Sequence, residues 1–130
     1  MRMGKGTTRR VLLKLSGEAL GGPAGIGLDF EALGAVSEQI ARAAHEIQIA
    51  IVVGAGNLCR GADWSSDKVH RADADAIGMA ATHVNALALR AHLQIHDCPS
   101  EVMGAGSPVP QVQPFDSTKA RQMLSSGTTM

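Results

Sequence analysis

Two short stretches of this chain place phosphate-handling residue types close together. The first is Lys14-Leu15-Ser16-Gly17-Glu18. A lysine at the carboxyl end of a strand can aim its ammonium into a crevice, while Ser16 and Gly17 offer backbone N–H groups. Such groups hold phosphates and offset the charge that builds on a transferred phosphoryl group. The same string is compatible with a strand-end lysine that merely reaches solvent. The second stretch is Gly54-Ala55-Gly56-Asn57-Leu58-Cys59-Arg60-Gly61. Closely spaced glycines let the backbone approach an anion without Cβ interference, and Arg60 adds a planar fork suited to phosphate. This is neither GxxxxGK[ST] nor GxGxxG, because Cys59 stands at the third glycine. An ordinary glycine-rich βα turn would read the same way. Asp75 follows about twenty residues on, as a ribose-binding acid does in dinucleotide folds, but it sits at the start of a helix.

The elements that must position these residues follow from periodicity. Arg10–Leu15 (RVLLKL) reads as a buried strand closed by Ser16-Gly17. Residues 18–28 contain Gly21, Gly22, Pro23, Gly25 and Gly27 and form a loop. Asp29 caps a helix whose apolar positions Phe30, Leu33, Val36, Ile40 and Ala44 step by three or four. Residues 47–53 (IQIAIVV) form a second strand. Strand, helix, strand over this span is a βαβ unit with parallel strands and a right-handed crossover. Both glycine-bearing turns therefore lie on one sheet edge and can face one crevice. Residues 64–71 read as a polar loop and residues 72–94 as a long alanine-rich helix. One stripe of that helix carries Ile77, Ala81, Val84, Ala88 and Ala91. Residues 100–103 suggest a third strand, followed by a Gly/Pro stretch through Pro114. Asp116 or Ser117 caps a last helix with Gly127 in the C′ position, and Thr128-Thr129-Met130 opens another strand.

Composition narrows the function classes. The chain has 130 residues, 45 % of them apolar and 18 % charged, which fits one globular domain over residues 1–130. Twelve basic residues balance twelve acidic ones, and the aromatics are Phe30, Phe115 and Trp64 alone. Neither a nucleic-acid footprint nor a base-stacking surface is present, and no apolar run is long enough for a membrane span. Cys59 and Cys98 lack any CxxC or zinc spacing and read as free thiols, giving a cytoplasmic address by elimination. His92 and His96 are spaced i, i+4. Without nearby carboxylates beyond Asp97 they read as surface or interface histidines in preference to metal ligands.

Four ordered motifs, KLSGEAL, the loop ending GIGLD, GAGNLCRG and Asp75 ahead of GMAAT, resemble those of the bacterial UMP kinases in the amino acid kinase family. The likeness is strongest from Arg10 to about Ala91. It implies an α/β fold, a three-layer αβα sandwich with a mostly parallel sheet, that transfers the γ-phosphoryl of Mg-ATP to UMP. By position it implies that Lys14, Leu15, Ser16 and Gly17 hold ATP phosphates, with Lys14 catalytic. Gly56 and Arg60 would meet phosphates, Ala55 and Asp75 would meet UMP, and Mg²⁺ would arrive with ATP. The loop Gly22, Pro23, Ala24, Gly25, Ile26, Gly27 matches a stretch used for allosteric GTP in some members, and helix 72–94 resembles a dimer contact. Two departures stand out. Ala55 replaces a glycine, at roughly 1 kcal/mol if that position needs φ > 0. The family also continues past the position of Met130 into the rest of both nucleotide sites. The expected function is thus a UMP kinase half that is inactive alone. The alternative is a non-catalytic oligomeric binding or assembly module on the same scaffold.

Overall fold

A computed structural model describes residues 8–59, 64 and 68–130. Arg60 lies outside these residues, as do residues 65–67 of the expected 64–71 loop. Strand β1 (Arg10–Leu15) pairs in parallel with β2 (Gln48–Val53), with Leu13 opposite Ile51 and Leu15 opposite Val53. Between them runs α1 (Phe30–Ala44). Its N-cap is Asp29, whose carboxylate accepts from Ala32 N–H at 2.8 Å, an interaction worth about 1 kcal/mol. The βαβ unit is therefore present as the sequence implies.

Helix α2 (Arg71–Ile95) is followed by β3 (Val102–Gly104), β4 (Val112–Pro114) and α3 (Ser117–Ser125), the last capped by Asp116. Strand β4 lies within the segment expected to be an irregular Gly/Pro stretch. It pairs in parallel with β3, with Gly104 opposite Pro114. A proline is tolerated there because its missing N–H falls on the side away from β3.

The last residues join the two ladders. Thr129 donates to Pro99 C=O and its own carbonyl accepts from Glu101 N–H, while Met130 exchanges backbone bonds with Ile49 and Ile51. The sheet order is thus β1, β2, Thr129-Met130, the Ser100–β3 segment, β4. Ser100–Gly104 and Thr128–Met130 both fulfil the expectation of extended backbone.

Residues alternate between faces along each strand. Leu13, Leu15, Ile49 and Ile51 pack with Ile40, Ala41, Leu89 and Leu93 of α1 and α2. Arg10 projects to the opposite face, where its guanidinium reaches Ser125 of α3 at 3.3 Å. Helices on both faces make the three-layer sandwich. Strand β1, expected to be buried, is buried on one face alone. Leu12 is 69 % exposed and Val52 54 %, since α3 covers only one end of its face. Phe30, counted among the core positions of α1, is also exposed and stacks on the His92 ring with centroids 5.8 Å apart.

Candidate phosphate-binding site

The carboxyl ends of β1 and β2 bring the two expected turns into direct contact. Leu15 C=O accepts from Gly54 N–H at 2.9 Å, extending the ladder into the turns. Gly17 then packs so tightly on the second turn that a Cβ there would stand 2.5 Å from Asn57 Oδ1 and 2.7 Å from Gly54 O. Ser16 caps the short 3₁₀ turn Gly17–Leu20, its hydroxyl accepting from Glu18 N–H. Lys14 is exposed on the α3 face, one residue before the ladder's last carbonyl.

The N–H groups of Ala55, Gly56 and Asn57 meet no acceptor among the described residues, whereas the next two, Leu58 and Cys59, both bond to Ala55 C=O. Successive unengaged N–H groups on a tight turn form a concavity that suits an anion. The backbone concern over Ala55 does not materialise. Among the described residues Asp97 is the one non-glycine with positive φ, so Ala55 carries no left-handed strain. The glycines of this turn also avoid positive φ, and Gly17 is required instead for close approach.

Two buried asparagines hold the turn. Asn85 is fully buried, and its Nδ2 donates to Gly54 O at 2.7 Å and to Asn57 Oδ1 at 2.7 Å. Asn57 Nδ2 donates to Asn85 Oδ1 at 3.1 Å and to Gly27 O at 2.7 Å. Asn57 C=O also accepts from Gly27 N–H at 2.8 Å. The amide pair therefore ties α2, the Gly54–Asn57 turn and the Gly22–Gly27 loop into one unit. That loop turns on Gly22, Gly25 and Gly27 at φ 65°, 65° and 72° and leaves Pro23, Ala24 and Ile26 exposed. Neither asparagine's role was anticipated. The available signal was an amide in an alanine-rich helix, in register with the core positions Leu89 and Leu93.

Asp75 stands apart from this cluster. It lies in the first turns of α2, largely exposed, 3.9 Å from Arg71. Ten residues separate it from Asn85, about 15 Å along the helix axis. His92 bonds to Ala88 C=O through Nδ1, and no group of three potential metal ligands occurs among the described residues. Cys59 and Cys98 are free, and no described helix is long and apolar enough to cross a membrane.

The sequence profile of the amino acid kinase family matches residues 9–130. The chain belongs to the amino acid kinase family. Uridylate kinase of Clavibacter michiganensis is 42 % identical over 121 residues, covering 93 % of this chain and 50 % of that protein. Uridylate kinase of Paenarthrobacter aurescens is 50 % identical over 88 residues, covering 68 % and 36 %. Among solved structures, UMP kinase from Ureaplasma parvum superposes with a TM-score of 0.86 at 27 % identity, covering 95 % of this chain and 54 % of that one. UMP kinase from Bacillus anthracis gives 0.81 at 31 %, covering 93 % and 50 %. The resemblance to bacterial UMP kinases over their N-terminal half therefore holds. The chain spans about half the length of these relatives or less.

Proposed function

We propose that this chain supplies the phosphate-binding half of a UMP kinase site. The observation that carries the reading is the contact between the Lys14–Gly17 turn and the Gly54–Asn57 turn, with three N–H groups of the latter unengaged among the described residues. In the reaction an oxygen of the UMP phosphate bonds to the γ-phosphorus of Mg-ATP as the bond from that phosphorus to the bridging oxygen of ADP breaks. The Lys14 ammonium offsets charge on the transferring group, and the turn amides fix the phosphates. Mg²⁺ arrives as part of the nucleotide substrate. Asp75 in α2 is the proposed ribose contact and Arg60 a further phosphate contact. The Gly22–Gly27 loop, bonded to the turn through Asn57, is the proposed seat of allosteric control.

Positioning both phosphates is most of the catalysis in this reaction class. The 130-residue chain alone is expected to show no turnover in a coupled assay with ATP, UMP and Mg²⁺. Turnover at an ordinary kinase rate of about 1–100 s⁻¹ would contradict that expectation.

The reading extends to self-association through α2. Ile77 and Val84 of the expected stripe are 38 % and 47 % exposed, on a flank of the helix turned away from Leu89 and Leu93. An isologous contact would bring each Val84 close to its counterpart region in the second copy. Val84→Glu is expected to convert a dimer to a monomer in light scattering with the far-UV spectrum unchanged. A wild-type monomer, or a variant of unchanged mass, would remove this contact from the reading.

A further inference from the structure

The side chain of Glu18 lies between the Gly22–Gly27 loop and the Gly54–Asn57 turn. Its backbone is fixed at the start of the 3₁₀ turn. The N–H donates to Ser16 Oγ at 3.3 Å, and the C=O accepts from Gly21 N–H at 3.1 Å. From there Cβ and Cγ pass Gly25, 3.7 and 3.9 Å from where a Cβ on that glycine would stand. The carboxyl group ends over Gly56, with Oε1 3.4 Å and Cγ 3.5 Å from the corresponding position there. Gly56 carries the middle one of the three turn N–H groups that meet no acceptor among the described residues. A negative charge therefore stands at the rim of a turn whose amides suit an anion. The neighbouring carboxylate of Asp29 is differently employed. It lies beside Gly22 and accepts from Ala32 N–H in capping α1.

We propose that Glu18 makes the crevice select polyphosphate complexed with Mg²⁺ over the free anion. A bare polyphosphate meets the Glu18 carboxylate as a like charge, which weakens its hold on the turn. A polyphosphate that carries Mg²⁺ presents a cation to the same carboxylate. One carboxylate together with substrate phosphates is an ordinary way for a protein to hold that ion. The turn amides and Lys14 acting without Glu18 would give the opposite order, because Mg²⁺ removes negative charge from the ligand they attract. The sign of the preference therefore reports on Glu18 itself. Glu18 is exposed and its stem rests on two glycines, so the carboxylate can be altered without disturbing the Asn57–Asn85 pair that holds the turn. The inference rests on the phosphate reading of the two turns and adds the form of nucleotide that they take.

The test titrates the 130-residue chain and its Glu18→Gln variant with inorganic tripolyphosphate at constant ionic strength. Each titration is run once with excess Mg²⁺ and once with EDTA, and NMR follows the amides of Gly17, Ala55, Gly56 and Asn57. Wild type is expected to bind the magnesium form roughly three- to tenfold more tightly, the scale of one unit charge at close range near a surface. In Glu18→Gln the free anion is expected to gain affinity and the magnesium form to lose it, so that the preference disappears or reverses. Glu18→Asp keeps the charge on a shorter stem and is expected to retain part of the preference, which separates charge from shape. A preference of the same size in wild type and Glu18→Gln would overturn the inference and leave the phosphate crevice standing. A wild-type preference for the free anion would overturn it equally. Turn amides that respond to neither form in any of the proteins would reject the crevice itself, and the inference with it.

Discussion

Gly17→Val is expected to separate the two turns and lower Tm by roughly 10 °C, corresponding to about 3 kcal/mol at this chain length. The new Cβ would lie 2.5 Å from Asn57 Oδ1, 2.7 Å from Gly54 O and 2.9 Å from Gly54 C. Two of these three atoms are backbone at the end of a paired strand, so relief requires the ladder itself to move. Asn57 cannot swing away cheaply either, because both ends of its amide are bonded. Gly34→Ala is the control of opposite sign. Gly34 sits within α1, and nothing lies within 4 Å of its added Cβ. That change is expected to stabilise by up to about 1 kcal/mol through helix propensity. Thermal melts of both variants check the pair. A Gly17→Val protein that melts like wild type would mean the turns are not in the contact described.

Asn85→Leu is expected to be similarly damaging although it conserves size. The substitution removes the donor to Gly54 O and both halves of the reciprocal bond with Asn57. It leaves Gly54 O and Asn57 Oδ1 buried beside an apolar group, at about 1–3 kcal/mol for each stranded acceptor. The expected total is about 2–5 kcal/mol by denaturant unfolding. A double-mutant cycle isolates the cause. Once Asn85 is gone, Asn57→Ala removes a group already missing one partner, so the double variant should lose less than the sum of the singles. Strict additivity would show that the amide pair is not a unit.

The parts of the fold legible in the sequence were those fixed by local patterning. The valine and leucine run of β1, the Asp29 cap and the alternation through β2 each specify their own element. The turn residues could be named because phosphate chemistry constrains residue type and spacing together. What escaped was set by tertiary partners. Asn85 is helical by its neighbours and buried by its register, but nothing local says that Gly54 and Asn57 wait opposite it. The exposure of Leu12 depends on how little of the sheet α3 covers. Strand β4 forms despite Pro114 because β3 is there to pair with, and a three-residue edge strand has no periodicity to read. Asp75 illustrates the reverse case. Its motif spacing is clear, yet the structure pairs it with Arg71 about 15 Å along the helix axis from Asn85.

The central claim is that the Lys14–Gly17 and Gly54–Asn57 turns form one phosphate-binding crevice. An NMR titration of the 130-residue chain with Mg-ATP tests it most directly. The account predicts shifts concentrated at the amides of Gly17, Ala55, Gly56 and Asn57, and markedly reduced in Lys14→Ala. Shifts confined to other parts of the chain, or identical in the Lys14→Ala protein, would contradict it.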